Sequence, residues 1–205
     1  MNKGIISLAL AGALASGVMA EESGVLVGLE VGYGELGMRD SSNPTNQVEK
    51  AIKYGLVVGY KQFFNPHIGL RYYANISNSQ TQSSNKAVTG TNFTSVLNYG
   101  ANIDFLGNFI ATENVDFGGF IGVGIGANTW SNQTLKDVKN MGMKVSSTGV
   151  NLALNVGLRT NLFAHHGIEI AARIPFTKNT LFDDAGIKID SYGNYSVTAR
   201  YIFSF

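Results

Sequence analysis

The sequence contains no cysteine and only three prolines among its 205 residues. Without disulfides, an exported fold has to be held together by backbone hydrogen bonds and burial. Charged residues make up only 14% of the chain. The chain lacks the excess of basic residues that would indicate a nucleic-acid partner. After residue 20, no stretch approaches the ~18 consecutive apolar residues of a transmembrane helix. If the chain spans a membrane, it does so as strands.

The first twenty residues have the pattern of a secretory signal peptide. A single Lys3 precedes an apolar run from Ile5 to Val18, and the small-residue ending predicts cleavage after Ala20. An N-terminal anchor helix is the alternative, but the apolar run is short and two glutamates follow it at once. The predicted division is a signal peptide, 1–20, and one domain, 21–205. Because Lys3 is the only charge removed from 15 basic and 14 acidic residues, the mature chain has a formal charge of zero.

Eight segments of the mature chain alternate apolar residues with polar or small residues. Alternation with a period of two predicts strands that have one apolar and one polar face. In the third segment, for example, Leu70 and Tyr72 alternate with Gly69 and Arg71. The eight segments are 24–36, 53–62, 67–76, 95–106, 115–127, 149–162, 168–174 and 194–205.

The connections between the eight segments are alternately long and short. Ten residues at about 3.3 Å each, tilted by ~40°, rise about 25 Å, which matches the apolar band of an outer-membrane barrel. The predicted fold is therefore an all-β, eight-stranded, antiparallel, up-and-down transmembrane β-barrel. Both termini are expected on the periplasmic side. The predicted extracellular loops lie near 37–52, 77–93, 128–148 and 176–193.

A soluble barrel of the lipocalin kind is the competing interpretation, with the apolar face inside and the polar face in water. The polar face here is mainly Gly, Asn and Ala, whereas a water-facing exterior needs many Lys, Glu and Asp residues. The apolar face carries no charge, and a charge at the bilayer midplane costs roughly 2–4 kcal/mol. This pattern favours a membrane barrel whose outer, apolar face contacts outer-membrane lipid.

Charged residues on the polar face are predicted to fill the lumen as an ionic plug in the periplasmic half. Eight strands leave an interior that side chains can fill, and charges removed from water need partners. Counted in residues from the short turns, three pairs of oppositely charged residues lie at similar heights on neighbouring strands, which predicts three ion pairs. The alternative is that barrel shear shifts these heights and the charges meet water instead. In a narrow pore, the cation excess would favour anions. The predicted pairs are Arg71 with Asp104, Arg159 with Glu169, and Glu30 with Arg200; Arg173 completes the plug and Lys61 also faces the lumen.

Three histidines are the candidates for catalysis or metal binding: His67, His165 and His166. All three fall beside the predicted short turns, far from the outer leaflet, where small outer-membrane lipid enzymes pair a serine with a histidine. The adjacent His165 and His166 have no third ligand in view, so they do not indicate a metal site. The sequence predicts no catalytic residue, no cofactor and no metal site, and hence a protein that is not an enzyme.

The last strand ends in Phe205, with Phe203 and Tyr201 two and four residues before it. This arrangement resembles the C-terminal signature by which the barrel assembly machinery recognises bacterial outer-membrane barrels. An ordinary amphipathic strand that closes a soluble sheet is the alternative for this segment alone.

Five stretches resemble the Helicobacter outer membrane protein family, and together they cover nearly the whole mature chain. The resemblance includes the turn residues and the Asn-Thr-Trp sequence that follows the fifth predicted strand. It implies a barrel in the bacterial outer membrane, with a structural or adhesin-like surface role through the extracellular loops; a narrow porin-like channel is the alternative. Larger members carry a long N-terminal adhesin domain, whereas this sequence is expected to form the barrel alone. The five stretches are FFNPHIGLRYYANI (63–76), LNYGANIDFLGNFI (97–110), GGFIGVGIGANTW (118–130), NVGLRTNLFAHHGIEIAARIPF (155–176) and YSVTARYIFSF (195–205).

Overall fold

Ten antiparallel strands make up the fold in the computed structural model. The residues that it describes are 21–40, 47–83, 92–112, 114–131, 136, 139–140, 146–184, 187–192 and 195–205, so the predicted signal peptide lies outside them. In this part of the chain, no helix is both long enough and apolar enough to cross a membrane. The strands are β1 (Gly24–Asp40), β2 (Gln47–Asn65), β3 (Ile68–Ser83), β4 (Asn92–Ala111), β5 (Val115–Ser131), β6 (Thr148–Leu162), β7 (His166–Pro175), β8 (Lys178–Asp184), β9 (Ile187–Tyr192) and β10 (Ser196–Ser204).

Eight of these strands form a closed barrel. The strands β1 to β7 pair in chain order, and β10 pairs with β7 on one side and with β1 on the other. At the closing seam, Leu26 lies opposite Ser204 and Gly34 lies opposite Ser196. The predicted eight-stranded antiparallel barrel is confirmed.

The remaining strands, β8 and β9, form a hairpin within residues 176–193, which the sequence pattern predicted to be a loop. That prediction was wrong. Strand β10 pairs with β1 only as far as Gly34, and beyond it β9 pairs with β1 from Gly37 to Asp40. The hairpin thus satisfies backbone groups at the end of β1 that would otherwise form an unpaired edge.

Six of the eight barrel strands are also longer than the predicted ten residues, with 19 residues in β2 and 20 in β4, whereas β7 has ten and β10 has nine. Pairing between β3 and β4 continues through polar sequence until Ser83 lies opposite Asn92. The predicted loops 37–52, 77–93 and 128–148 are therefore partly strand. Alternation of apolar and polar residues marks only the part of a strand that has an apolar face, whereas backbone pairing does not depend on that face.

Most apolar side chains of the barrel strands point outward, and the buried charged side chains point into the lumen. Leu29 is 59% exposed and Ile125 is 60% exposed, whereas Glu30, the neighbour of Leu29, is 3% exposed. Strand β10 shows the same alternation of buried and exposed residues along its length. A soluble barrel would have the opposite arrangement. An outward apolar face is what a surrounding bilayer requires.

The two ends of the barrel differ in their connections. At the short-turn end, tight turns join β2 to β3, β4 to β5 and β6 to β7, and the Phe205 N–H donates to the Val25 carbonyl at 2.9 Å. The β6–β7 turn places Phe163 and Ala164 in the left-handed region, with φ of 51° and 61°. At the opposite, long-loop end lie the β1–β2, β3–β4 and β5–β6 connections and the β8–β9 hairpin.

Candidate functional site: the charged lumen

The lumen at the short-turn end is organised around Glu21, which precedes β1 and is fully buried. Its carboxylate accepts hydrogen bonds from Lys61 Nζ and Arg159 Nη1, each at 2.8 Å. Burial acts to raise the pKa of Glu21, but the positive charges of Arg159 and Lys61 outweigh it and lower the pKa to about 2. The segment is anchored because the Phe63 N–H donates to Ser23 Oγ at 2.8 Å.

Arg71 of β3 occupies the centre of the lumen and is 2% exposed. Asp104 lies directly opposite it on β4, and Arg71 Nη2 donates to Asp104 Oδ2 at 2.7 Å. Arg71 Nη1 donates across the lumen to Glu169 Oε1 of β7. The guanidinium carbon also lies 5.1 Å from the centre of the Tyr73 ring and 4.8 Å from that of Phe120. Arg71 thus has two carboxylate partners and two aromatic faces, which together compensate for its desolvation.

Glu30 and Arg200 form an ion pair across the seam that closes the barrel. They lie opposite each other on β1 and β10, and Arg200 Nε donates to Glu30 Oε2 at 3.0 Å. Lys53 Nζ of β2 lies 3.3 Å from Glu30 Oε1 and donates to Ser196 Oγ at 3.2 Å. This cluster therefore links the first, second and last strands of the barrel.

Towards the long-loop end, side-chain amides replace the carboxylates. The amides hydrogen-bond to one another across β3, β4, β5 and β6 at distances from 2.7 to 3.2 Å. Arg173 Nη1 of β7 donates to the Oδ1 atoms of Asn102 and Asn155 at 2.8 and 2.9 Å. The asparagines of this network, here called the asparagine ladder, are Asn75, Asn98, Asn102, Asn128, Asn151 and Asn155.

The structure places all seven residues of the predicted plug in the lumen, each buried. It brings together the three predicted pairs, with closest separations of 2.7 Å for Arg71–Asp104, 3.8 Å for Arg159–Glu169 and 3.0 Å for Glu30–Arg200. Arg173 stands apart from these pairs, because its described partners are amides of the asparagine ladder.

Sequence reasoning missed Glu21, Lys53 and the asparagine ladder as parts of the lumenal network. Lys53 could have been found, since it has the same strand parity as the lumenal Lys61. Five of the asparagines lie at polar-face positions of the predicted strands and Asn128 lies in a predicted loop, but nothing in their spacing indicates that they bond to one another. Glu21 precedes the first strand, so no periodic pattern indicates which way its side chain points.

The three histidines bond to neighbouring strands at the short-turn end. The Nδ1 atoms of His67 and His165 lie 2.9 Å from the carbonyl oxygens of Asn108 and Ser204. His166 Nδ1 lies 2.7 Å from the Tyr201 hydroxyl. Within the described ranges, no group of three or more His, Asp or Glu side chains could hold a metal ion.

The residues of the predicted assembly signal lie beside His165 and His166 on the outer surface. Tyr201 is 44% exposed and Phe205 is 70% exposed. The Phe203 and Phe205 rings pack edge to face, with centroids 5.0 Å apart. Together they form an aromatic surface at the short-turn end of the closing seam.

Sequence comparison decides the family. Residues 55–205, from β2 to the last strand, match the family described as Helicobacter outer membrane protein. The chain belongs to the Helicobacter outer membrane protein family. This membership confirms the resemblance noted from the sequence and, with the lipid-compatible outer face, locates the barrel in the bacterial outer membrane. No curated protein matches the chain.

Several solved structures are similar to the chain at low sequence identity. The Neisserial surface protein A is 15% identical, with a TM-score of 0.51 over 90% of this chain and 100% of that one. OprG of Pseudomonas aeruginosa is 14% identical, with a TM-score of 0.49 over 91% of this chain and 100% of that one. Ail, the attachment invasion locus protein of Yersinia pestis, is 17% identical, with a TM-score of 0.43 over 87% and 98%. The similarity to the Neisserial protein supports the fold alone.

Proposed function

We propose that this member of the family is a non-conducting structural barrel that presents its long-loop end for contacts at the cell surface. The observation that carries the proposal is the filled lumen. Glu21 links Lys61 of β2 to Arg159 of β6. Arg71 of β3 bonds to a carboxylate of β7, so both residues join strands that are not neighbours. Each of the two is no more than 2% exposed. Eight strands enclose a space that such side chains can fill.

Apolar packing inside the long-loop end also supports a closed lumen. Leu36, Ala51, Val96 and Trp130 form one buried cluster there, each 3% exposed or less. These residues come from β1, β2, β4 and β5. An ion crossing the barrel would have to pass this apolar cluster as well as the ionic network, and both steps would remove its hydration.

The same topology provides the surface for contacts. With the short turns in the periplasm, the long-loop end lies outside the cell, and the β8–β9 hairpin extends one wall of the barrel there. An extracellular ligand would bind at this surface, and a contact surface of this kind needs no catalytic group. The positions of the three histidines, each bonded to a neighbouring strand, support a non-enzymatic role.

Export and assembly form part of the proposal. Cleavage after Ala20 would make Glu21 the first residue of the mature chain, close to the barrel interior in which its side chain is buried. The exposed aromatic surface of Tyr201, Phe203 and Phe205 lies on the closing strand. It is the surface that the barrel assembly machinery would bind before the seam with β1 forms.

Single-channel recording of the refolded protein in planar bilayers tests the proposal. We expect no steady conductance from the wild type and intermittent leak from Arg71→Ala and Arg200→Ala, which remove plug side chains. Lys50→Ala, a substitution on the exposed outer face of β2, is the matched control and should remain silent. Reproducible wild-type steps with anion preference would contradict the proposal and support the narrow porin.

A further inference from the structure

Arg173 lacks a carboxylate partner in the described part of the lumen, unlike the other buried cations. Its Nη1 bonds to two asparagine oxygens, but its Nε and Nη2 atoms are buried and have no acceptor among the described residues. The residue is only 5% exposed. A buried cation with unused donors is costly unless a negative charge or a polar acceptor approaches it.

A small cavity lies against Arg173 towards the long-loop end. Its volume is about 30 Å³, and its lining includes Arg173, Lys53, Ser196, Asn128 and Asn151. A cavity of that size has room for a few water molecules or one monatomic ion, since one water needs on the order of 10–15 Å³ of the same measure. Asn128 and Asn151 have amide groups that can present either a donor or an acceptor.

Lys53 supplies a second positive charge at this cavity. Its ammonium is directed at Glu30 Oε1 and Ser196 Oγ, at 3.3 and 3.2 Å. An ammonium has three donors, so two described acceptors leave one N–H for another partner. Glu35 also lies beside the cavity, but it belongs to the outward face of β1, where it bonds to the exposed Tyr195 hydroxyl.

The charge balance of the lumen also shows an excess of positive charge. The buried charged residues among those described comprise six cations and five anions, a difference of one positive charge. Arg173 is the one of these cations that makes no described ion pair. One bound monovalent anion would therefore neutralise this excess of side-chain charge. The cations are Lys53, Lys61, Arg71, Arg159, Arg173 and Arg200, and the anions are Glu21, Glu30, Asp104, Asp116 and Glu169.

We infer that the cavity between Arg173 and Lys53 is a binding site for one small monovalent inorganic anion of chloride size. Arg173 Nε and Nη2 and Lys53 Nζ are the charged donors, and the amides of Asn128 and Asn151 complete the shell. The site goes beyond the proposed surface role. Its occupancy can be measured in a micelle and does not depend on whether the barrel conducts.

Anion-dependent stability of the refolded full barrel in detergent tests the site. Urea unfolding is compared in chloride and in gluconate, each at about 0.3 M so that screening is equal. Gluconate is too large for the cavity. For a dissociation constant on the order of 10 mM, chloride should favour the folded state about 30-fold more than gluconate does. The Arg173→Met variant should lose this difference, and Lys50→Met, which removes a charge from the outer face, should retain it.

A wild-type barrel of equal stability in both salts would overturn the inference. Equal chloride dependence in Arg173→Met would overturn it too. If Arg173→Met does not refold, crystals of the wild type grown in bromide decide the matter. We expect an anomalous peak within hydrogen-bonding distance of the Arg173 guanidinium, and its absence would refute the site.

Discussion

Arg71 of β3 and Glu169 of β7 meet in the middle of the barrel, with Nη1 and Oε1 2.5 Å apart although the residues are separated by 98 positions in the sequence. The two strands are not neighbours in the sheet. Their ion pair is therefore a brace across the lumen that backbone pairing does not provide. Because Arg71 also bonds to Asp104, its removal leaves two buried carboxylates without their main partner.

We expect Arg71→Ala to lower the free energy of unfolding by roughly 3–5 kcal/mol, the range typical of breaking a buried ion pair from one side. Urea unfolding in micelles measures the change. Lys50→Ala is the matched control and should stay within about 0.5 kcal/mol of the wild type. Adding Asp104→Asn and Glu169→Gln to the Arg71→Ala background should recover part of the loss. An Arg71→Ala barrel as stable as the control would contradict the bracing role.

Glu21 predicts a specific dependence of stability on pH. Its pKa is lowered from the ordinary value of 4.5 to about 2 in the folded barrel, so its contribution is complete above pH 4.5 and is lost as the pH falls towards 2. The urea midpoint of Glu21→Met should lie below that of the wild type at pH 6, and the difference should shrink through this window. Glu22→Met, which alters the neighbouring exposed carboxylate, should show no such convergence. A constant difference between Glu21→Met and the wild type from pH 6 to pH 2 would refute the assignment.

Deletion of Phe205 should lower the amount of barrel inserted in the outer membrane. Phe205 is 70% exposed, so its loss removes little packing from the folded barrel but shortens the aromatic surface of the closing strand. Surface labelling of cells, normalised to total protein, measures insertion. Phe163→Ala, a change at an aromatic residue that is 66% exposed in a turn, is the control and should insert normally. Normal insertion of the deletion would remove the case for a terminal signal.

Two glycine substitutions should differ sharply although they add the same methyl group. A Cβ atom at Gly126 would lie 2.1 Å from the Tyr99 carbonyl oxygen and 2.7 Å from Gly100 Cα, whereas a Cβ at Gly107 would meet only a ring carbon of Phe105 at 4.0 Å. We expect Gly126→Ala to cost about 1–3 kcal/mol in unfolding free energy, as overpacking does. Gly107→Ala should be nearly neutral. Equal unfolding midpoints for the two variants would show that β4 and β5 can move apart to accommodate the methyl group at residue 126 without loss of stability.

Much of the lumenal network follows from strand parity and height, and the exceptions have physical causes. Arg71 and Asp104 lie directly opposite each other, so short turns and alternation are enough to predict their contact. Arg159 also lies opposite Glu169, as predicted, but its guanidinium bonds mainly to Glu21. A long side chain can reach several partners, and parity does not choose among them.

In the fold, too, the alternation of apolar and polar residues predicts some strands and not others. The eight barrel strands were predictable because each has a lipid-facing apolar row. The β8–β9 hairpin was not, because its pairing with β1 satisfies backbone groups without a long apolar face. Local sequence gives no indication that β1 continues past β10 and needs another partner.

The start of β1 lies beside the end of β10 at the closing seam, which has a consequence for protein engineering. The N–H of Phe205 bonds to Val25, so a short linker could join the ends into a continuous ring, and a new opening could be cut at the turn before Ile68. Such a circular permutant would keep every strand pair of the barrel and end in β2 instead of β10. In such a permutant, the closure of the barrel by backbone pairing could be measured separately from any effect of a carboxyl-terminal Phe205 on assembly.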